Sequence, residues 1–81
     1  MENKDYSRIT ELDLSYKKLN ELPDLSKYTN LEILYCNHNN LTNLDNLPQS
    51  LKELDCDNNP LIYNFTSTLE NIKNYNANLK N

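Results

Sequence analysis

Apolar residues recur along this chain at one fixed spacing, and the recurrence organises everything else. The stretch Leu51–Leu61 reads LKELDCDNNPL, or L-x-x-L-x-C-x-x-N-x-L. The same arrangement stands one period earlier in LEILYCNHNNL, where Leu31, Leu34, Cys36 and Leu41 are apolar and Asn39 holds the asparagine position, as Asn59 does in the later copy. A further copy towards the N-terminus, ITELDLSYKKL, aligns Ile9, Leu12, Leu14 and Leu19 but carries Lys17 where the other two have asparagine. A fourth begins at Ile72 and aligns Tyr75 and Ala77 before the chain stops at Asn81. First positions at 9, 31, 51 and 72 give periods of 22, 20 and 21 residues.

Within each copy the leading half alternates apolar and polar residues, the mark of a short half-buried strand. Strands are therefore predicted near Glu11–Leu14 and at the matching positions, the last over Asn74–Ala77. The trailing halves are return segments. Pro23 and Pro48 exclude a regular helix from the first two returns, because proline lacks an amide donor and pushes the residue before it to extended geometry. The third, IYNFTSTLEN (Ile62–Asn71), has no proline, offers Phe65 and Leu69 as core fillers, and contains Ser67 and Glu70 as an S-x-x-E pattern able to cap one helical turn. Residues 1–8 form a polar lead in which Tyr6 either folds over the open end of the first copy or belongs to a disordered segment. The predicted organisation is that lead followed by one unit over residues 9–81.

The period and consensus resemble the leucine-rich repeat. That resemblance implies an α/β repeat fold: a short right-handed solenoid with a parallel β-sheet on its concave face and mostly extended or 3₁₀ returns on the convex side. In such repeats the asparagine satisfies backbone groups where the chain leaves the strand, so Asn39 and Asn59 are expected to form a structural ladder. The implied role is non-catalytic binding of a protein or peptide on the concave face. The cysteine at the sixth position and the segment Asn46-Leu47-Pro48-Gln49-Ser50-Leu51 are most similar to the short leucine-rich repeat proteins of giant viruses. They are also similar to secreted bacterial effectors whose repeats carry an L-P-x-S-L run. The second similarity implies another role, the substrate-recognition part of a ubiquitin-ligase-type effector whose catalytic domain is absent. A third expectation is a structural or assembly role through the open ends of the stack.

Length and charge narrow these readings. Eighty-one residues make one domain, and a compact globule of that size buries only a marginal fraction of its surface. Stacked repeats escape this limit because each buries its apolar residues against its neighbours, with about three copies the usual minimum. An apolar fraction of 37% suits such a one-dimensional core. Net charge is -4 and the eight basic residues are dispersed, which disfavours nucleic acid as a partner. Asparagine occurs 16 times and glycine not at all, so asparagine is expected to occupy the left-handed backbone positions of the turns. The opening MENKD is polar with no apolar run behind it, and no stretch is long enough and apolar enough to cross a membrane. The expected location is intracellular, in the host cytoplasm if the source is viral, with reduced cysteines and no membrane partner.

Candidate chemistry lies on the outward columns of the strands. The third positions are Glu11, Ile33, Glu53 and Asn74, and the fifth are Asp13, Tyr35, Asp55 and Asn76. The seventh are Ser15, Asn37, Asp57 and Asn78, and the eighth are Tyr16, His38, Asn58 and Leu79. An apolar pair, Ile33 and Tyr35, thus sits among acids, a composition suited to an amphipathic or basic peptide. The candidate binding residues are Ile33, Tyr35, His38, Asp13, Asp55 and Asp57. A solvated sheet face with one exposed aromatic would give the same pattern. Four strands would span only ~14 Å, a footprint for a short segment.

No catalytic residue, cofactor or metal ligand is expected. His38 is the single histidine and has no evident partner for general-base work. Cys36 and Cys56 would lie on adjacent strands, but no C-x-x-C or Cys/His cluster completes a metal site, so they are expected as buried free thiols. DCDNN lacks the glycine and terminal glutamate of a calcium loop. Asn40-Leu41-Thr42 and Asn64-Phe65-Thr66 match a glycosylation acceptor and, with no export signal expected, are expected to be chance matches. A fourth strand at Asn74–Ala77 would leave an uncovered sheet edge, predicting an end-to-end homo-oligomer or a partner chain that continues the sheet, with Tyr75, Phe65 and Leu69 partly open.

Overall fold

The computed structural model describes residues 5–79; the start of the lead (1–4) and residues 80–81 lie outside the described residues. The fold is α/β, with one three-stranded parallel sheet and one helix. Strands β1 (Glu11–Asp13), β2 (Ile33–Tyr35) and β3 (Glu53–Asp55) lie side by side in chain order, and helix α1 (Leu69–Leu79) follows them. Leu12 pairs with Leu34 and Leu34 with Leu54, so the sheet register reproduces the sequence alignment of the copies.

The leucine at the centre of each strand faces inward, and the second copy is the most deeply buried because it has neighbours on both sides. Leu31, Leu34, Cys36, Leu41 and Leu44 are sealed from solvent, and Leu25, Leu51, Cys56 and Ile72 complete the core. Each fully buried leucine stabilises the fold by about 1.5–3 kcal/mol relative to an exposed one, so this thin row of side chains is the main source of cohesion. Ile9, Leu12 and Leu14 of the first copy and Leu54 and Leu61 of the third are only partly buried against it.

The first two returns contain no helix, as Pro23 and Pro48 dictate. They advance through isolated turns closed by i to i−3 bonds, from the Tyr28 amide to the Leu25 carbonyl (3.0 Å) and from the Leu51 amide to the Pro48 carbonyl (3.2 Å). The described part of the lead, residues 5–8, is ordered. Its 3₁₀ turn, Tyr6–Arg8, is capped by the Asp5 side chain, and the Tyr6 ring stands edge-on to Tyr28 at 5.2 Å with the Lys27 ammonium 4.3 Å from its centre. The side-chain amide of Asn30 donates to the Ser7 carbonyl at 2.8 Å. Tyr6 therefore packs on the first return, the ordered alternative for residues 5–8.

The fourth copy departs from expectation. Asn74–Ala77 is not a strand; it lies inside α1, which starts at Leu69 and runs for eleven residues instead of one turn. The cap is Thr68 rather than Ser67: its hydroxyl accepts from the Asn71 amide at 3.2 Å, and its carbonyl accepts from the Ile72 amide at 2.9 Å. Leu69, Ile72, Asn76 and Leu79 fall at helical spacing, and Ile72 is 0% exposed. Lys73 donates to the carbonyls of Leu51 (2.8 Å) and Gln49 (3.3 Å), and Asn76 donates to the Leu44 carbonyl at 2.8 Å, tying the helix to the second return. The uncovered edge expected at Asn74–Ala77 for oligomerisation is therefore not formed by a strand. Phe65 and Leu69 are half-buried and Tyr75 is 38% exposed, with Tyr63, Phe65 and Tyr75 packed as an aromatic cluster.

Candidate functional site

Sheet pairing carries the outward columns into register. Glu11, Ile33 and Glu53 form one row across the three strands, and Asp13, Tyr35 and Asp55 form the next. Ile33 and Tyr35 are half-buried at the centre, Glu11, Asp13 and Glu53 are exposed, and Asp55 is half-buried. Cross-strand bonding continues past the strands, from the Leu14 amide to the Tyr35 carbonyl (2.6 Å) and from Cys36 to Asp55 (2.8 Å). It goes on from Tyr16 to Asn37 (3.2 Å) and from His38 to Asp57 (2.9 Å). Asp57, at the end of this face, is exposed.

At the eighth position of each of the first three copies the backbone turns left-handed. Tyr16 and His38 have φ of 57° and Asn58 has φ of 60°, with Lys18 also at 57°. Only one of these four is asparagine, so the asparagine surplus does not fill the left-handed positions as expected. Each non-glycine residue there costs roughly 1 kcal/mol, a strain that the cross-strand bonds on either side hold in place. The turn stacks the side chains of the column. The Tyr16 and His38 rings lie 4.3 Å apart and 9° from parallel, and the Asn58 side-chain amide lies 3.2 Å from His38 Nε2. With the amide donating, Nε2 accepts and the ring proton sits on Nδ1. Tyr16 is 70% exposed, so the stack forms an open aromatic ridge at the end of the face that Tyr35 occupies.

Beneath the ridge, the two repeat asparagines reach into the preceding copy. Asn39 accepts through Oδ1 from the amides of Lys17 and Leu19, both at 3.0 Å. Its amide donates to the carbonyls of Leu14 (2.9 Å), Cys36 (2.9 Å) and Asn37 (3.2 Å). Asn59 repeats the arrangement, accepting from Leu41 (3.0 Å) and donating to Cys36 (3.0 Å), Cys56 (3.0 Å) and Asp57 (3.3 Å). The turn at Lys17 is thus closed by a side chain from the following copy.

The acids differ in how they are engaged. Asp13 accepts from both the amide and the hydroxyl of Ser15, bonds that hold its carboxyl below the usual range. Asp55 accepts from the Asp57 amide at 3.2 Å through one oxygen. The thiols lie below the face and are reluctant to ionise, since burial pushes Cys36 up to about 12 and Cys56 up to about 11. Both are free, and Cys56 Sγ lies 3.7 Å from the Ser67 carbonyl. Among the described residues, no three His, Cys, Asp or Glu side chains are grouped to hold a metal ion.

A separate depression lies between the two returns and α1. It is a shallow cleft of about 870 Å³ whose lining includes Asp24, Tyr28, Asp45, Gln49, Lys73 and Asn76. Its polar groups are largely consumed by structural bonds: Asp24 accepts from the Ser26 amide at 2.9 Å, and Lys73 and Asn76 donate to carbonyls of the second return. Asn76 Oδ1 is buried and has no hydrogen-bond partner among the described residues.

The structure thus brings Ile33, Tyr35, Asp13 and Asp55 onto two adjoining rows and sets His38 and Asp57 at the end of the same face. Tyr16, read in the sequence as a column position but not as a binding candidate, joins them by stacking on His38. Comparison with models of known protein families, with characterised proteins and with solved structures gave no match to this chain.

Proposed function

We propose that the chain is a short leucine-rich-repeat solenoid that binds an extended segment of a partner protein on the open face of β1, β2 and β3, and that it catalyses no reaction. The repeat assignment is supported by three strands spaced as the sequence copies are and by asparagines that bond from one copy into the one before. The binding role is carried by one observation: the centre of an otherwise charged face is occupied by Ile33 and Tyr35, each flanked in register by carboxylates. Aromatic side chains surrounded by polar groups are the common anchors of protein interfaces. A non-catalytic role is supported by a histidine whose Nε2 is occupied by Asn58 and by thiols that burial keeps protonated. Two strand-to-strand steps span about 10 Å, which accommodates one extended chain and not a globular surface.

The test is binding of peptides selected on the immobilised chain from a random displayed library. Tyr35→Ala should weaken the selected peptides by about 2 kcal/mol or more. Unchanged affinity in that variant would remove the sheet face as the binding surface.

A further inference from the structure

Charge is segregated on this molecule. The outward third, fifth and seventh positions of the three strands carry five of the twelve acidic residues, Glu11, Asp13, Glu53, Asp55 and Asp57, and none of the eight basic ones. The face therefore holds a charge of -5, and the rest of the chain, with seven acids and eight bases, is close to neutral. Nothing in the fold needs this arrangement, since like charges on one sheet face repel one another.

The face is also unequal from side to side. Between β2 and β3 lies a shallow, open notch of about 160 Å³ lined by Ile33, Leu34, Tyr35, Glu53, Leu54 and Asp55. On the β1 side the equivalent acid, Asp13, is engaged by Ser15. On the β3 side Asp55 meets a single amide, and among the described residues Glu53 has no side-chain hydrogen bond. Glu53 and Asp55 are two residues apart on one strand, so their side chains leave the same side about 7 Å apart.

We infer that the occupant of the notch is an arginine carried by an extended segment of a partner protein. This rests on the binding face proposed above and names what that face selects. The apolar stem of the arginine lies along Ile33, its planar fork donates to Glu53 on one side and Asp55 on the other, and its flat surface rests against the Tyr35 ring. Lysine satisfies the charge but presents a point donor that reaches one carboxylate at a time. The engaged carboxylate of Asp13 makes the β1 side the weaker place for a cation.

A random decapeptide library displayed on phage, panned at low salt on the full 81-residue chain, tests the inference. Selected peptides are then synthesised with a fluorophore and titrated against the chain and its variants. The expected peptides share an arginine. Glu53→Gln and Asp55→Asn should each weaken them about tenfold, Asp13→Asn less than about twofold, and replacing the arginine by uncharged citrulline should cost as much as losing either acid. Circular dichroism of the variants shows that these surface changes leave the fold intact. Selected peptides with no shared arginine, or affinities that respond equally to Asp13→Asn and Asp55→Asn, would overturn the inference while leaving the face standing if Tyr35→Ala still weakens binding. Peptides indifferent to Tyr35→Ala, or no selected peptides at all, would overturn both.

Discussion

The third and fourth copies start with the same apolar spacing and fold into different structures. Leu51, Leu54 and Cys56 enter a strand and the core below it, whereas Ile72 and Tyr75 enter a helix. A pair of apolar residues three apart serves either geometry, because it also places two side chains on one face of a helix. The asparagine position separates the two copies. Asn39 closes the turn before it by accepting from Leu19, and Asn59 does the same for Leu41. The fourth copy has Lys80 at that position, which has no acceptor to offer the third turn. Accordingly the Leu61 amide bonds to the Asn59 carbonyl at 2.9 Å, within its own turn. With no acceptor to tie a fourth strand to the third turn, the helical spacing of Leu69, Ile72 and Asn76, which brings them to the packed side of α1, decides the outcome.

The largest effect should come from the residue that docks the helix. Ile72→Ala removes a fully buried side chain and should cost about 2–5 kcal/mol in denaturant unfolding, comparable with Leu34→Ala in β2. Tyr75→Ala, at a residue 38% exposed, should cost distinctly less. Equal costs at the two positions would mean that the helix is not anchored through Ile72.

Next come the asparagines. Asn39 is 6% exposed and serves two amides and three carbonyls, so Asn39→Ala should destabilise by on the order of 3 kcal/mol by leaving buried groups unpaired. Asn59→Ala, which strands one amide and three carbonyls and lies at the less buried turn, should cost less. The reverse order would contradict the role given to neighbouring copies. Asn39→Asp separates the two functions of the side chain, since it keeps the acceptor for Lys17 and Leu19 and loses the donor to Leu14, Cys36 and Asn37.

Much of this was legible in the sequence. The strands, their register and the columns that place Ile33 beside Glu53 and Tyr35 beside Asp55 follow from the copies alone, because a parallel stack keeps equivalent residues adjacent. The burial of Cys36 and Cys56 follows in the same way. The terminal helix was hidden by the spacing it shares with the strand copies, and Ser67-Thr68 offered two adjacent caps of which the S-x-x-E pattern selected the wrong one. The left-handed turns were misassigned for a different reason. Asparagine has the better intrinsic preference, but Tyr16, Lys18 and His38 are held there by tertiary bonding, and the asparagines are used for their side-chain amides. The stack of Tyr16 on His38 is a consequence of that turn and has no sequence motif of its own.

Two smaller effects sharpen the contrast between strand and helix. Thr68→Ala should cost about 1 kcal/mol and Ser67→Ala close to nothing, read as thermal midpoints by circular dichroism. The thiols give a pH signature confined to the strand copies. Their folded pKa values, about 12 and about 11, lie above the ordinary value of 9.0, so the unfolded chain ionises first. The stability they contribute is whole below pH 9 and declines as pH rises towards 12. A Cys36→Ala, Cys56→Ala double variant should show a shallower decline than the parent over that window, and parallel curves would mean the thiols are accessible when folded.

The acidic sheet face and the cleft beside α1 differ in what they would leave available to a partner. Around its aromatic centre the sheet face presents Glu53 and an Asp55 that meets a single amide, while the cleft has spent Lys73 and Asn76 on its own backbone. Chemical-shift mapping of the isotope-labelled chain, titrated with a peptide selected on it, decides between them in one experiment. The amides of Ile33, Tyr35, His38, Glu53 and Asp55 should move together and saturate at one affinity. Shifts confined to Asp45, Gln49, Lys73 and Asn76, with the strand amides unmoved, would place binding in the cleft and contradict the assignment of the sheet face.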